Sequence, residues 1–260
     1  MAAARWKYIN IAIEERIAVL TISRPPVNAL SVKLVTELQQ ATDHLAEDDS
    51  SVVVVCSGQP HFSAGADLKE RAAMDDTEAA RMVTNVRNCF QSIAELPQPS
   101  IAAVNGAAIG GGAELALACD LRIMSDNVRF GLSEVSLGII PGAGGTQRLP
   151  RLIGAGRALD LIYTGRIIDA RECLILGLAD RLVTNGRLHD SALALATEMA
   201  ANAPLALRAA KRAVREGMEA AIAEGLAIEG SAYDSLIGTA DRIEGLAAFK
   251  EKRPPRWKGE

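Results

Sequence analysis

Residues 52–56, VVVVC, are apolar at every position, and Gly58 lies just beyond the run. A strand with one wet face alternates apolar and polar side chains, because successive residues point to opposite sides. A run without alternation is expected to be buried on both faces. That is the condition of strands in a parallel sheet covered by helices on each side. SIAAV at 100–104 repeats the pattern, and DLRIM at 120–124 reads as a further strand. Parallel strands need long crossovers, and the intervening sequence supplies helices. SVKLVTELQQATDHLAED carries Leu34, Leu38, Ala41 and Leu45 at helical spacing. Residues 77–96 read as a second helix, closed by Pro97 and Pro99. YINIAIEE and RIAVLTISR alternate and are joined by a short charged turn, so they read as a hairpin. Strand and helix thus alternate, the sequence signature of an α/β fold.

Beyond about residue 150 the strand signals fade. Asp169 and Glu172 form a candidate capping box before RECLILGL. Pro204 suits the first turn of a helix carrying Lys211 and Val214, and Ala-rich helical stretches continue to Phe249. The expected division is an α/β core over 1–195 and a helical region over 196–260.

Charge and composition narrow the function. A net charge of −4 argues against a general nucleic-acid binder, which needs a broad basic face. Cys56, Cys89, Cys119 and Cys173 form no CxxC pair, and with three histidines in the chain no metal-ligand cluster is visible. Reduced cysteines used as small core residues suit a reducing compartment. The start, MAAARWKYINIAIEER, has no apolar signal core, and no run approaches the ~18 apolar residues of a membrane span. The expectation is a soluble protein, cytoplasmic in a bacterium or mitochondrial after removal of a presequence.

Within this frame one stretch stands apart. AAIGGGAELALACD, 107–120, places Gly110, Gly111 and Gly112 between a strand and an apolar helix. Amides in a first helical turn lack internal partners and carry the positive end of the dipole. Glycine lets a ligand approach them, so such a turn can stabilise an oxygen that gains negative charge. Glu114 sits in the same helix, among residues apolar on every side, where desolvation would raise its pKa. A glutamate there also complements the dipole, and three glycines also permit tight helix–strand packing. Both readings stand from this stretch alone. FSAGADLKE, 62–70, offers a second small-residue loop opening a helix. PGAGGTQR, 141–148, lacks the Lys-Ser/Thr ending of a P-loop and the last glycine of GxGxxG, so it is not read as a nucleotide cradle.

FSAGADLKE (62–70), AAVNGAAIGGGAELALACD (102–120), FGLSEVSLGIIPGAGGTQRLPR (130–151) and EGLAAFKEKRPPRWKGE (244–260) together resemble the enoyl-CoA hydratase, or crotonase, family. The likeness spans essentially the whole chain. GADLKER and the tail look most like the branch containing the AU-rich-RNA-binding methylglutaconyl-CoA hydratase. The resemblance implies a crotonase-like spiral of ββα units with a C-terminal helical region used for oligomerisation and CoA contact. It implies trimers or hexamers, and no cofactor beyond the coenzyme A of the substrate. The thioester oxygen would be held by the backbone amides of Ala66 and Gly111. Contacts to substrate are implied for Ala64, Ala66, Asp67, Leu68, Lys69, Gly111 and Lys252.

Hydratases of the family carry two glutamates twenty residues apart, the spacing of Glu114 and Glu134 here, whereas isomerase members often keep one. The implied activity is addition of water across the C2–C3 bond of a trans-2-enoyl-CoA, with 3-methylglutaconyl-CoA as a candidate substrate. The assignment is Glu114 as base and Glu134 as acid, with exchange of roles left open. The alternatives are a double-bond isomerase acting chiefly through Glu134, and a weakly catalytic RNA-binding homologue. Against the latter, residues 31–51 hold one lysine, Lys33, opposed by Glu37, Asp43, Glu47, Asp48 and Asp49. Phosphate neutralisation drives RNA binding, so this segment should repel it. Lys250, Lys252, Arg253, Arg256 and Lys258 give the tail a positive balance that suits CoA phosphates or, equally, a solvated basic terminus.

Overall fold

In the computed structural model, which describes residues 6–260, VVVVC lies inside a six-stranded sheet. The opening MAAAR, part of the start considered above, falls outside the described residues. The amino-terminal elements are β1 (Ile9–Glu14), β2 (Ile17–Ile22), α1 (Val32–Ala46), β3 (Val52–Ser57), α2 (Leu68–Ala72) and α3 (Asp76–Ala94). The middle of the chain forms β4 (Ser100–Val104), β5 (Ala107–Ile109), α4 (Gly111–Ala118), β6 (Leu121–Ser125) and β7 (Arg129–Gly131). There follow α5 (Gly145–Ile153), α6 (Ala155–Thr164), β8 (Ile168–Asp169), α7 (Ala170–Leu176) and β9 (Arg181–Val183). The last elements are α8 (Leu188–Ala200), α9 (Pro204–Gly217), α10 (Ile222–Ile237) and α11 (Ala240–Glu251).

The large sheet has the order β1-β2-β3-β4-β6-β9 and the small one β5-β7-β8. Apart from the β1–β2 hairpin, neighbours in the large sheet are parallel. Side chains of β3 divide by parity. Val53 and Val55 enter the core shared with α1, α3 and α4, while Val52, Val54 and Cys56 pack on the opposite face with Leu188, Ala192 and Leu195 of α8. The strand is apolar throughout because it has two cores to fill. Helix α8 spans residue 195 and packs against this sheet.

The chain winds as a spiral. A strand of the large sheet leads to a short extended piece in a second layer, then to a helix: β4, β5, α4 is one turn, and β6, β7 begins the next. Isolated bridges Leu30–Ala66 and Ser63–Ala108 continue the second layer through the two earlier turns. The fold is thus the expected α/β spiral of ββα units with a helical C-terminal region.

The candidate capping box at α7 is half formed. Asp169 accepts from the Glu172 amide at 2.8 Å, but the Glu172 carboxylate pairs with Arg166 at 2.7 Å. All four cysteines are free and buried.

Candidate active site

The spiral brings two loops edge to edge. At Ala66 the neighbouring peptide groups face Leu30: the Leu30 amide donates to Gly65 O at 2.8 Å, and the Asp67 amide donates to Leu30 O at 3.3 Å. In a parallel pairing, the amide between them points the opposite way. The Ala66 N–H accordingly meets no acceptor among the described residues. Gly111 opens α4, where an amide lies beyond the reach of the helix's own ladder. The two loops touch at Gly65. Its φ is +84°, and a Cβ there would meet Ile109 O at 2.6 Å and Gly111 N at 3.3 Å. Only glycine takes this conformation at this distance without displacing the chain.

Ala66 and Gly111 line a cavity of about 950 Å³ that also contains Glu114 and Glu134. Glu114, 3% exposed, sits in the first turn of α4, its amide donating to Gly110 O at 3.0 Å. Its Oε1 accepts from the amides of Ala143 and Gly145, both at 2.8 Å. Burial pushes its carboxyl above the usual range, while those two amides and the positive charges of Arg148 and Arg87 pull it back.

Glu134 begins a 3-10 turn, Glu134–Leu137, just after β7. The Gly110 amide donates to Gly131 O at 2.8 Å, fastening this segment to the glycine turn. Gly110 has φ +54°, and a Cβ on it would lie 3.0 Å from Glu134 Oε1, so the carboxyl rests against the bare backbone. Its Oε2 is buried without a hydrogen-bond partner. Burial first, then the charge of Glu114, push the Glu134 carboxyl up to about 7. Two carboxyls therefore share one cavity in unlike settings, one gripped by amides and one bare.

Of the other residues singled out from sequence, Ala64, Asp67 and Leu68 line the same cavity. Asp67 is occupied structurally. It accepts from the amides of Lys69 and Glu70 as the cap of α2 and pairs with Arg24 at 2.6 Å, which together hold its carboxyl below the usual range. Lys69 is exposed outside the cavity wall, and Lys252 is exposed at the end of α11. In the tail, Arg253 is engaged by Glu244, at 2.6 and 3.0 Å.

Sequence reasoning missed the hold that Ala143 and Gly145 exert on Glu114. The signal was the small-residue run GAGG at 142–145 leading into α5, which local chemistry weighs only as a nucleotide cradle. It also missed the composition of the outer wall, where Met74, Met82, Val83, Val86 and Ile140 face the cavity together with Arg71 and Arg87.

Comparison with known proteins gives a consistent result. A family model described as enoyl-CoA hydratase/isomerase matches residues 12–260. The mitochondrial methylglutaconyl-CoA hydratase of Mus musculus is 47% identical over 251 residues, covering 94% of this chain and 80% of that protein. The human mitochondrial enoyl-CoA hydratase domain-containing protein 2 is 44% identical, covering 95% and 87% of the two chains. A crystal structure of enoyl-CoA hydratase from Bacillus anthracis superposes with a TM-score of 0.95 at 44% identity, covering 98% of this chain and all of that one.

Proposed function

The chain belongs to the enoyl-CoA hydratase/isomerase family, and on that premise we propose that it is an enoyl-CoA hydratase in which Glu114 and Glu134 share the chemistry. The substrate is a trans-2-enoyl-CoA, with 3-methylglutaconyl-CoA among the candidates. The thioester oxygen accepts from the amides of Ala66 and Gly111. Glu114, as carboxylate, takes a proton from water as the water oxygen attacks C3. Electron density moves to the thioester oxygen, where the two amides stabilise it without having to reorient. Glu134, as neutral acid, protonates C2 to give the 3-hydroxyacyl-CoA. Loss of the proton on Glu114 and reprotonation of Glu134 close the cycle. The atoms balance with water, the thioester and two carboxyls, and coenzyme A enters only as part of the substrate.

The observation that carries this reading is the unequal pair. Burial raises both carboxyls, but at Glu114 two amides and the charges of Arg148 and Arg87 counter it, whereas Glu134 has a buried oxygen with no donor and the charge of Glu114 adds to its burial. Pairs whose environments push their pKa values apart divide the roles of base and acid.

The remaining assignments extend the same reading. Residues 196–260 serve association, as trimers or hexamers. Ile222 and Phe249, 81% and 87% exposed, are large apolar side chains available for burial between subunits. Lys69 and Lys252, exposed and not part of the cavity lining, are assigned to the CoA phosphates and not to the acyl group. RNA is disfavoured as a partner, because residues 31–51 carry Glu37, Asp43, Glu47, Asp48 and Asp49 against the single lysine Lys33. Among the described residues no helix is long and apolar enough to cross a membrane.

The test follows loss of conjugated-thioester absorbance with a panel of enoyl-CoA substrates, 3-methylglutaconyl-CoA included, for wild type, Glu114→Gln and Glu134→Gln. Both variants should bind acyl-CoA and lose hydration by about 10²–10⁴-fold. Near-normal turnover in either would remove the paired-acid mechanism. A double bond that migrates without any 3-hydroxy product would make the protein an isomerase.

A further inference from the structure

The glycine-rich run at 142–145 has a carboxylate on its inner side and a guanidinium on its outer side. Within the cavity, Glu114 Oε1 accepts from Ala143 and Gly145, and a Cβ on Gly145 would lie 3.1 Å from that oxygen. Behind the loop, Arg148 Nη1 donates to Ala143 O at 3.0 Å and Nη2 to Gln91 Oε1 at 2.8 Å. Gly144 has φ +113°, and a Cβ on it would fall in the space that Nη1 occupies. One glycine makes room for the anion and its neighbour for the cation. Arg148 is half-buried, yet among the described residues no carboxylate lies within ion-pairing distance of it, and its two partners are neutral oxygens. Gln91 passes its amide to Glu95 at 2.7 Å, and Arg215 of α9 presents a second positive charge. Cys119 stays a neutral thiol, pushed up to about 12 by burial. On the cavity side, Glu114 supplies the opposite charge, with the loop backbone between.

We propose that Arg148 is a positioning residue: by holding the Ala143 carbonyl from behind, it aims the amides of Ala143 and Gly145 at Glu114 and keeps that side chain ionised for use as the base. The inference rests on the reading of Glu114 as base and adds the residue that maintains it. Arg87 braces the preceding carbonyl, Gly142 O, at 2.9 Å, but it is exposed, so salt and water screen its charge. The half-buried guanidinium acts through a lower dielectric. The other charges facing Glu114 are Glu134, from the 3-10 turn, and Asp67, Glu70 and Arg71 across the cavity. A substitution at 148 leaves all of these in place. Removing Arg148 frees Ala143 O and withdraws a positive charge, and both changes favour the neutral carboxyl. An opposite charge in direct contact lowers a carboxyl by about 1–3 pKa units, so across one thickness of backbone the expected effect is about one.

The experiment is the pH profile of kcat/KM for hydration of crotonyl-CoA, because a residue needed only for folding lowers the rate at every pH without moving a limb. Arg148→Gln keeps a neutral donor and removes the charge. Its acid limb should move upward by about one pH unit, while the alkaline limb, set by Glu134, stays where it is. Arg148→Lys restores a charge and a donor without the fork, and should bring the acid limb most of the way back. Gln91→Glu, at an exposed position of α3, sets a carboxylate against the guanidinium and offsets its charge without loosening its hold. It should move the acid limb in the same direction by less. An acid limb that stays in place in Arg148→Gln overturns the proposal. Should that variant not fold, an unmoved limb in Gln91→Glu overturns it equally. The residual activity of Glu114→Gln separates the two readings. An acid limb that persists there belongs to another group and removes Glu114 as base, and this inference with it. A limb lost there but unmoved in Arg148→Gln removes the role of Arg148 alone.

Discussion

Raising the pH should switch the enzyme off through Glu134, with a steepness set by the side chain's surroundings. Its carboxyl titrates at about 7, lifted by burial and by the charge of Glu114. The neutral fraction then falls from about 90% at pH 6 to about 10% at pH 8, and by roughly a further tenfold for each unit above. If Glu134 donates the proton to C2, kcat/KM should decline about tenfold across that interval, because this parameter reports ionisations of the free enzyme. The acid limb belongs to Glu114. Burial raises its pKa, so activity also drops as the solution is acidified through that raised range. On the proposed mechanism both directions of the reaction require one proton on the pair, held by Glu134 for hydration and by Glu114 for dehydration. Profiles measured from crotonyl-CoA and from 3-hydroxybutyryl-CoA should therefore superimpose. The assay is initial-rate change in conjugated-thioester absorbance from pH 5 to 9 at constant ionic strength. A forward profile flat between pH 6 and 8.5 would refute the shared-proton argument.

Stability carries the same signature. Because the folded pKa of about 7 exceeds the ordinary 4.5, the penalty for burying Glu134 is absent below about pH 4.5 and complete above 7. The melting temperature of Glu134→Gln should rise relative to wild type between pH 5 and pH 8, and a gap that stays constant would contradict this. Gly65→Ala should cost about 1–3 kcal/mol in denaturant unfolding, since φ +84° and the 2.6 Å approach to Ile109 O both resist a Cβ. It should also lower kcat by more than tenfold as the amides of Ala66 and Gly111 part, so a variant as active as wild type would show that their spacing is not critical. Phe249→Asp should shift sedimentation toward smaller species, because an exposed ring of this size contributes about 1.5–3 kcal/mol when buried. An unchanged sedimentation profile would exclude this ring from the association surface.

How far the sequence discloses this arrangement depends on what each residue answers to. VVVVC is legible because burial on both faces leaves no polar position in β3, and α1 because Leu34, Leu38, Ala41 and Leu45 fall on one stripe. The strands β5, β7, β8 and β9 run for two or three residues, too short for any periodicity to register, and their pairing is decided by the spiral. The glycine turn and Glu114 were visible from local chemistry, whereas Glu134 emerged only through the family spacing, since nothing in SEVSL marks it as desolvated. The grip of Ala143 and Gly145 on Glu114 was hidden because amide donors belong to the backbone and leave little trace in residue identity. At α7, Asp169 behaved as its motif suggests, but Glu172 did not, because Arg166 offered a full charge in place of an amide.

The donors at Ala66 and Gly111 are peptide groups, whereas the acids beside them are side chains, and inheritance treats the two differently. Most codon changes leave a peptide N–H in place; only proline or a shift of the chain erases it. Each glutamate is a single nucleotide from glutamine or lysine. A lineage carrying this cavity would keep its hold on a thioester far longer than it keeps any one reaction, and could try new chemistry without first rebuilding the place where it happens.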